Sequence, residues 1–130
     1  MPVSYRIERN VVFVQPQGVH STDELREAWL RAERDPAYPK LPALPLVCVD
    51  VRESESLAKR AVSDMRATVG WFIDRVQQSG RVCAFVARPG IQYGLVRMMS
   101  AWLDLQGYRT FVTTDPAEAM RWLHRIETTE

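Results

Sequence analysis

A chain of 130 residues with 46% apolar and 25% charged side chains has the composition of one globular domain, spanning residues 1–130. It is large enough to bury roughly two thirds of the surface its unfolded chain exposes. The formal net charge of +1 excludes an electrostatic hold on nucleic acid or an anionic membrane, and the 15 arginines, set against Lys40 and Lys59, are scattered rather than run together.

Met1 to Arg9 is too short and polar for a signal peptide, and no apolar stretch approaches the ~20 residues of a membrane span. The expected location is therefore the cytoplasm, without membrane insertion. Val3 to Ile7 and Val11 to Val14 are β-favouring runs joined by Glu8-Arg9-Asn10, which predicts a hairpin with Asn10 suited to a positive φ. Pro16 and Gly18 end the second strand. Ser21 with Glu24 three residues on forms a capping box, and Leu25, Ala28, Trp29 and Ala32 then give one apolar face of a helix that Asp35-Pro36 stops.

Ala37 to Pro45, with three prolines, reads as an extended loop. Leu46 to Val49 ends at Asp50, and Val82 to Ala87 ends at Arg88-Pro89-Gly90. Both are continuous apolar runs, which suits strands covered on both faces of a parallel sheet. Phe111-Val112 is a shorter third. Between them, Val62, Met65, Val69, Phe72, Ile73 and Val76 mark a second helix that ends at Gly80 and has an alternative start among Leu57 to Arg60. Leu95, Met98, Met99 and Trp102 mark the core stripe of a third, ending at Gly107. The last helix has Asp115 as N-cap, Pro116 in its first turn, Glu118 at the capping-box position, and Ala119, Met120, Leu123 and Ile126 as its buried side.

The order β-β-α-β-α-β-α-β-α predicts an α/β fold. Its sheet has five strands, the last four parallel and the first antiparallel beside them, with four main helices. The strands 46–50, 82–87 and 110–113 should be neighbours in chain order, because a single helix joins each to the next.

Few residues on this scaffold announce chemistry. Cys48 and Cys83 sit in apolar runs, as buried reduced thiols do, and two cysteines lack the spacing of a zinc site. His20, in a loop, and His124, in the last helix, read as solvent-exposed or capping. The turn Gly18-Val19-His20-Ser21 carries too little glycine for a dinucleotide, and neither a phosphate loop nor a nucleophile elbow is present. No catalytic residue, metal or cofactor is expected.

Ligands of open parallel sheets meet the carboxyl ends of the strands, which here carry Asp50, Arg52 and Glu53, then Arg88, Pro89 and Gly90, then Thr113 and Thr114. These either hold a small anion or a phosphorylated side chain, or are polar loop ends. Ser63, with Ser54 and Ser56 as competitors, is a cap or a phosphorylation site. On a helical wheel Trp71 falls opposite the apolar stripe of its helix, among Asp64, Ala67, Asp74 and Arg75. It is an outward-facing interface anchor, unless the phase of the helix differs or a second layer covers that face.

The strand ending Val49-Asp50-Val51-Arg52, the strand Arg81 to Val86 with its Pro-Gly loop, and Gly94-Leu95-Val96-Arg97-Met98 opening the third helix resemble the stand-alone bacterial STAS-like (SpoIIAA-like) proteins over nearly the whole chain. The resemblance implies a βα superhelical domain related in fold to anti-sigma-factor antagonists, to the cytoplasmic domains of sulfate transporters and, more distantly, to CRAL-TRIO lipid carriers. Those antagonists bind a partner kinase and are switched by phosphorylation of a serine in an Asp-Ser-Ser-Gly type motif. This chain has no such motif between Asp50 and Met65, and Ser63 is only its positional analogue.

Two functions follow as expectations. One is a non-enzymatic regulatory module that binds a protein partner or a second copy of itself as a homodimer. The alternative is a small-ligand protein that holds a lipid, nucleotide or anion near Arg88, Tyr93 and Arg97. An apolar cavity larger than a few side chains would favour the ligand, and a flat apolar patch around Trp71 the partner.

Overall fold

The computed structural model describes residues 3–39, 45–56, 62–75 and 82–129. In chain order the elements are β1 (Val3–Glu8), β2 (Val11–Pro16), α1 (Thr22–Arg34), β3 (Leu46–Asp50), α2 (Val62–Arg75), β4 (Val82–Val86), α3 (Ile91–Leu105), β5 (Arg109–Thr113) and α4 (Pro116–Thr129). The strands form one sheet in the order β1-β2-β3-β4-β5. β1 is antiparallel to β2, and each later strand is parallel to the one before it. This is the α/β fold with a mixed five-stranded sheet and four helices that the segment order predicts.

The direction of travel explains the layers. The chain steps the same way across the sheet at each crossover, so right-handed connections place α1, α2 and α3 on one face. Their core joins Trp29, Met65, Val69, Val96 and Leu103 to Val12, Val47 and Phe85 of the strands. α4 follows the last strand and covers the opposite face, where Ala119, Leu123 and Ile126 meet Leu46, Cys48, Ala84 and Val86. β4 is buried at all five positions, as its unbroken apolar run requires.

The helix starts obey local chemistry. Ser21 Oγ accepts from the Glu24 N–H at 3.1 Å while Glu24 Oε1 accepts from the Ser21 N–H at 2.9 Å, which closes the capping box of α1. α3 begins at Ile91 behind Gly90, whose φ of 96° favours glycine, rather than at Gly94. In the hairpin the positive φ, 55°, falls on Arg9 and not on Asn10. The connection is two residues long, and the Asn10 carbonyl is committed to the Leu46 N–H at 2.7 Å.

Two helix phases differ from the apolar count for one reason, buried polar residues. The innermost line of α3 is Gln92, Val96, Ser100 and Leu103, with Leu95, Met98, Met99 and Trp102 half-buried beside it. Trp102 is therefore a flanking residue, not the centre of the stripe. In α2, Thr68 is 7% exposed and draws the inward face round toward Trp71. Trp71 is consequently half-buried and packed against the core instead of facing outward. Arg26 of α1 lies 5.6 Å from its ring centroid, and Arg66 of α2 lies 4.8 Å from that of Trp102. Each neighbouring helix pair is thus bridged by an arginine on a tryptophan face. The expected end of α2 at Gly80 and its alternative start among Leu57 to Arg60 lie outside the described residues.

Cys48 and Cys83 are on adjacent strands but one register step apart, Val47 being opposite Cys83. Their side chains enter opposite faces of the sheet, so both are free thiols. Burial, with Asp50 adding to it, pushes the Cys48 thiol up to about 12. Burial raises Cys83 well above its ordinary value too. Both are therefore neutral at physiological pH and inert as nucleophiles.

Candidate functional site

Three helices roof the larger core unevenly. α1 lies over β1 and β2 and α3 over β5, while α2 has its nearest backbone neighbour in α3 rather than in a strand. Beneath α2, above the centre of the sheet, is a cavity of about 130 Å³. Val49 and Phe85 form its floor, Met65 and Val69 face them from α2, and Trp29 and Leu103 stand at the sides. Val49 lies on the middle strand, where side chains are ordinarily covered, yet it is only half-buried. Its side chain borders that space. The walls are almost wholly apolar, and a space of this kind offers water too few hydrogen bonds to hold it.

One rim of the cavity is polar, at the carboxyl ends of β2, β3 and β4. Gly18, at φ 59°, lets the chain leave β2 and pair again alongside the loop after β3. Its N–H donates to the Glu53 carbonyl and its carbonyl accepts from the Glu55 N–H, each at 2.8 Å. This short ladder brings His20 against Ser54, with His20 Nε2 and Ser54 Oγ 2.7 Å apart. The His20 N–H donates to Ser56 Oγ at 2.9 Å. His20 is 7% exposed, a buried member of the rim and not the solvent-facing loop residue its surroundings suggest.

Gln92 ties this rim to the next loop. Its Oε1 accepts from the Arg88 N–H at 2.6 Å and its Nε2 donates to the Val51 carbonyl at 2.7 Å. Arg88 Nη2 donates to the Ser54 carbonyl at 3.3 Å. Backbone groups of two loops are satisfied by side chains here, which is why a polar cluster can be buried without penalty.

The loop-end residues named from sequence are divided by the fold. Asp50 and Arg52 pair with each other through Nε and Nη2 at 3.0 and 2.9 Å. Both line a separate groove of about 410 Å³ on the side of α4, beside Arg6, Phe13 and Pro116. Arg6 stacks on Phe13, its cross-strand neighbour, 4.2 Å from the ring centroid. The hydrogen bond to Asp50 holds the Arg52 guanidinium above its ordinary pKa, so this pair is mutually neutralised. Arg88 belongs to the other side, on the rim. Tyr93 is half-buried against the larger core, Arg97 is exposed on α3, and neither lines either space. Asp50 and Arg52 thus share the groove on the α4 side, apart from Arg88 on the rim.

Ser54 and Ser56 are 1% and 8% exposed, so neither offers its hydroxyl to solvent. Ser63 falls in the first turn of α2, and its side chain lies outside the described residues. Among the described residues, no group of three or more His, Cys, Asp or Glu side chains is placed to hold a metal ion. Among them, too, no helix is long and apolar enough to cross a membrane.

Comparison with protein-family models, with curated proteins and with solved structures finds no match to this chain.

Proposed function

We propose that this chain is a non-enzymatic binding module of the STAS-like kind whose ligand is a small apolar molecule held between the sheet and α2. What carries the reading is the cavity of about 130 Å³ on the helix-covered face, with a middle-strand valine left half-buried at its floor. Natural cores are filled to crystal-like density, and a void of this size forfeits dispersion contacts on every wall. A space of about 150 Å³ with similar walls takes up a benzene-sized molecule, because the ligand restores those contacts without displacing bound water. The ligand site expected near Arg88, Tyr93 and Arg97 is thereby moved inward, with Arg88 alone kept at its rim.

The reading of the chain as a protein-interaction module loses the outward Trp71 on which it stood. Its support is instead the groove beside Phe13, on the sheet face where α4 makes its main contacts with β3, β4 and β5.

Thermal unfolding in the presence of toluene tests the cavity. Binding to the native state alone stabilises it by about 2.7 kcal/mol at 100 times the Kd, which raises Tm by several degrees. Val96→Phe, which fills the space at a cost of about 1–3 kcal/mol from overpacking, should remain folded and lose that response. A wild-type Tm that does not move up to the solubility limit of toluene would contradict the reading.

A further inference from the structure

We infer that the cavity is selective for an uncharged ligand bearing a single hydroxyl, a phenol or a short alcohol, with that hydroxyl against Ser54. The inference rests on the apolar-cavity reading above and names the chemistry of its ligand. Ser54 lines the space, is 1% exposed, and its Oγ has one hydrogen-bond partner among the described residues, His20 Nε2 at 2.7 Å. A hydroxyl can donate once and accept twice, so part of its capacity is unspent. If Nε2 carries the proton and donates, Ser54 keeps its own O–H to give. If Nε2 accepts, Ser54 keeps two lone pairs.

Either way this buried hydroxyl, already paired with His20, keeps one further hydrogen bond to offer a ligand in the space. A ligand group that both donates and accepts fits each tautomer of His20. A hydroxyl does so, whereas an ether or a ketone only accepts. Thr68 and Tyr108 also bring hydroxyl-bearing side chains to the wall, and Thr68 Oγ1 already faces Thr22 Oγ1 at 3.4 Å. Among the described residues no Asp, Glu, Lys or Arg lines the space, so a carboxylate would enter it with no fixed counter-charge. The Arg88 guanidinium is directed instead at the Ser54 carbonyl.

The test is a calorimetric titration at neutral pH of the wild type and Ser54→Ala with toluene, phenol, anisole and benzoate. Phenol is better hydrated than toluene, and without a partner inside it would bind about tenfold or more weaker. The expected result is that the wild type binds phenol at least as tightly as toluene and more tightly than anisole. Benzoate should not bind. In Ser54→Ala, the phenol affinity should fall about tenfold relative to the toluene affinity of the same variant. If Ser54→Ala does not fold, the wild-type ranking of phenol against anisole decides the matter alone.

A tenfold preference of the wild type for toluene over phenol would overturn the inference and leave the cavity reading standing. So would an unchanged phenol-to-toluene ratio in Ser54→Ala, or tighter binding of benzoate than of phenol. Failure of every compound to bind would overturn the cavity reading itself, and the inference with it.

Discussion

Trp29→Ala should lower folding stability by about 3–5 kcal/mol, read as a shift in the denaturant midpoint at unchanged slope. Trp29 is 2% exposed in the middle of α1 and meets Tyr38 edge-on at a centroid distance of 6.2 Å. Its indole also stands at the side of the cavity, so truncation joins the vacated volume to a space that already exists. The surroundings of such a hole relax only partly, which is what makes large-to-small changes expensive. Added indole should then restore part of the lost stability in a saturable way, whereas the wild type has no room for it beside the native side chain. A loss below about 1 kcal/mol would show that the α1 interface is not packed as described.

Leu123→Ala should cost about 2–5 kcal/mol for a different reason. α4 is the cover of the second face, and Leu123 is fully buried at its centre with Ala119 and Ile126 beside it. Ala84 and Val86 of β4 share that cluster, and their neighbours Cys83 and Phe85 enter the cavity side of the same strand. The sheet therefore separates the two cores. Leu123→Ala should leave toluene affinity unchanged within experimental error while lowering stability, since sites on opposite faces with no shared partner act additively. Equal losses of stability and affinity would mean that the sheet does not insulate one core from the other.

Much of this architecture is legible in the chain. Ser21 and Glu24 mark the start of α1, the runs at Leu46 and Val82 mark doubly covered strands, and the alternation of elements orders the sheet. These features are local, and their periods reflect which side chains water excludes. The phases of α2 and α3 were less legible because Thr68, Gln92 and Ser100 point inward. An apolar count assigns such residues to solvent, so it turns Trp71 outward and places Trp102 at the centre of its stripe.

The rim was hidden for a related reason. Ser54 meets His20 across 34 residues and Gln92 reaches Val51 across 41. No spacing rule connects residues so far apart, and the signal that existed was modest. Gly18 at the end of β2 marks a turn of the backbone, and the His20 that follows it lies at a carboxyl strand end. The cavity has no signature at all, since it arises from the distance of one helix from a sheet. That distance depends on the summed volumes of side chains from six elements.

The most direct test of the account is a methyl-resolved NMR titration with toluene. Saturable shifts are predicted for Val47, Val49, Val69, Val96 and Leu103, which line the cavity, with none at Val86, Leu123 or Ile126 on the α4 face. Shifts confined to the α4 face, or no saturable shift anywhere, would contradict it.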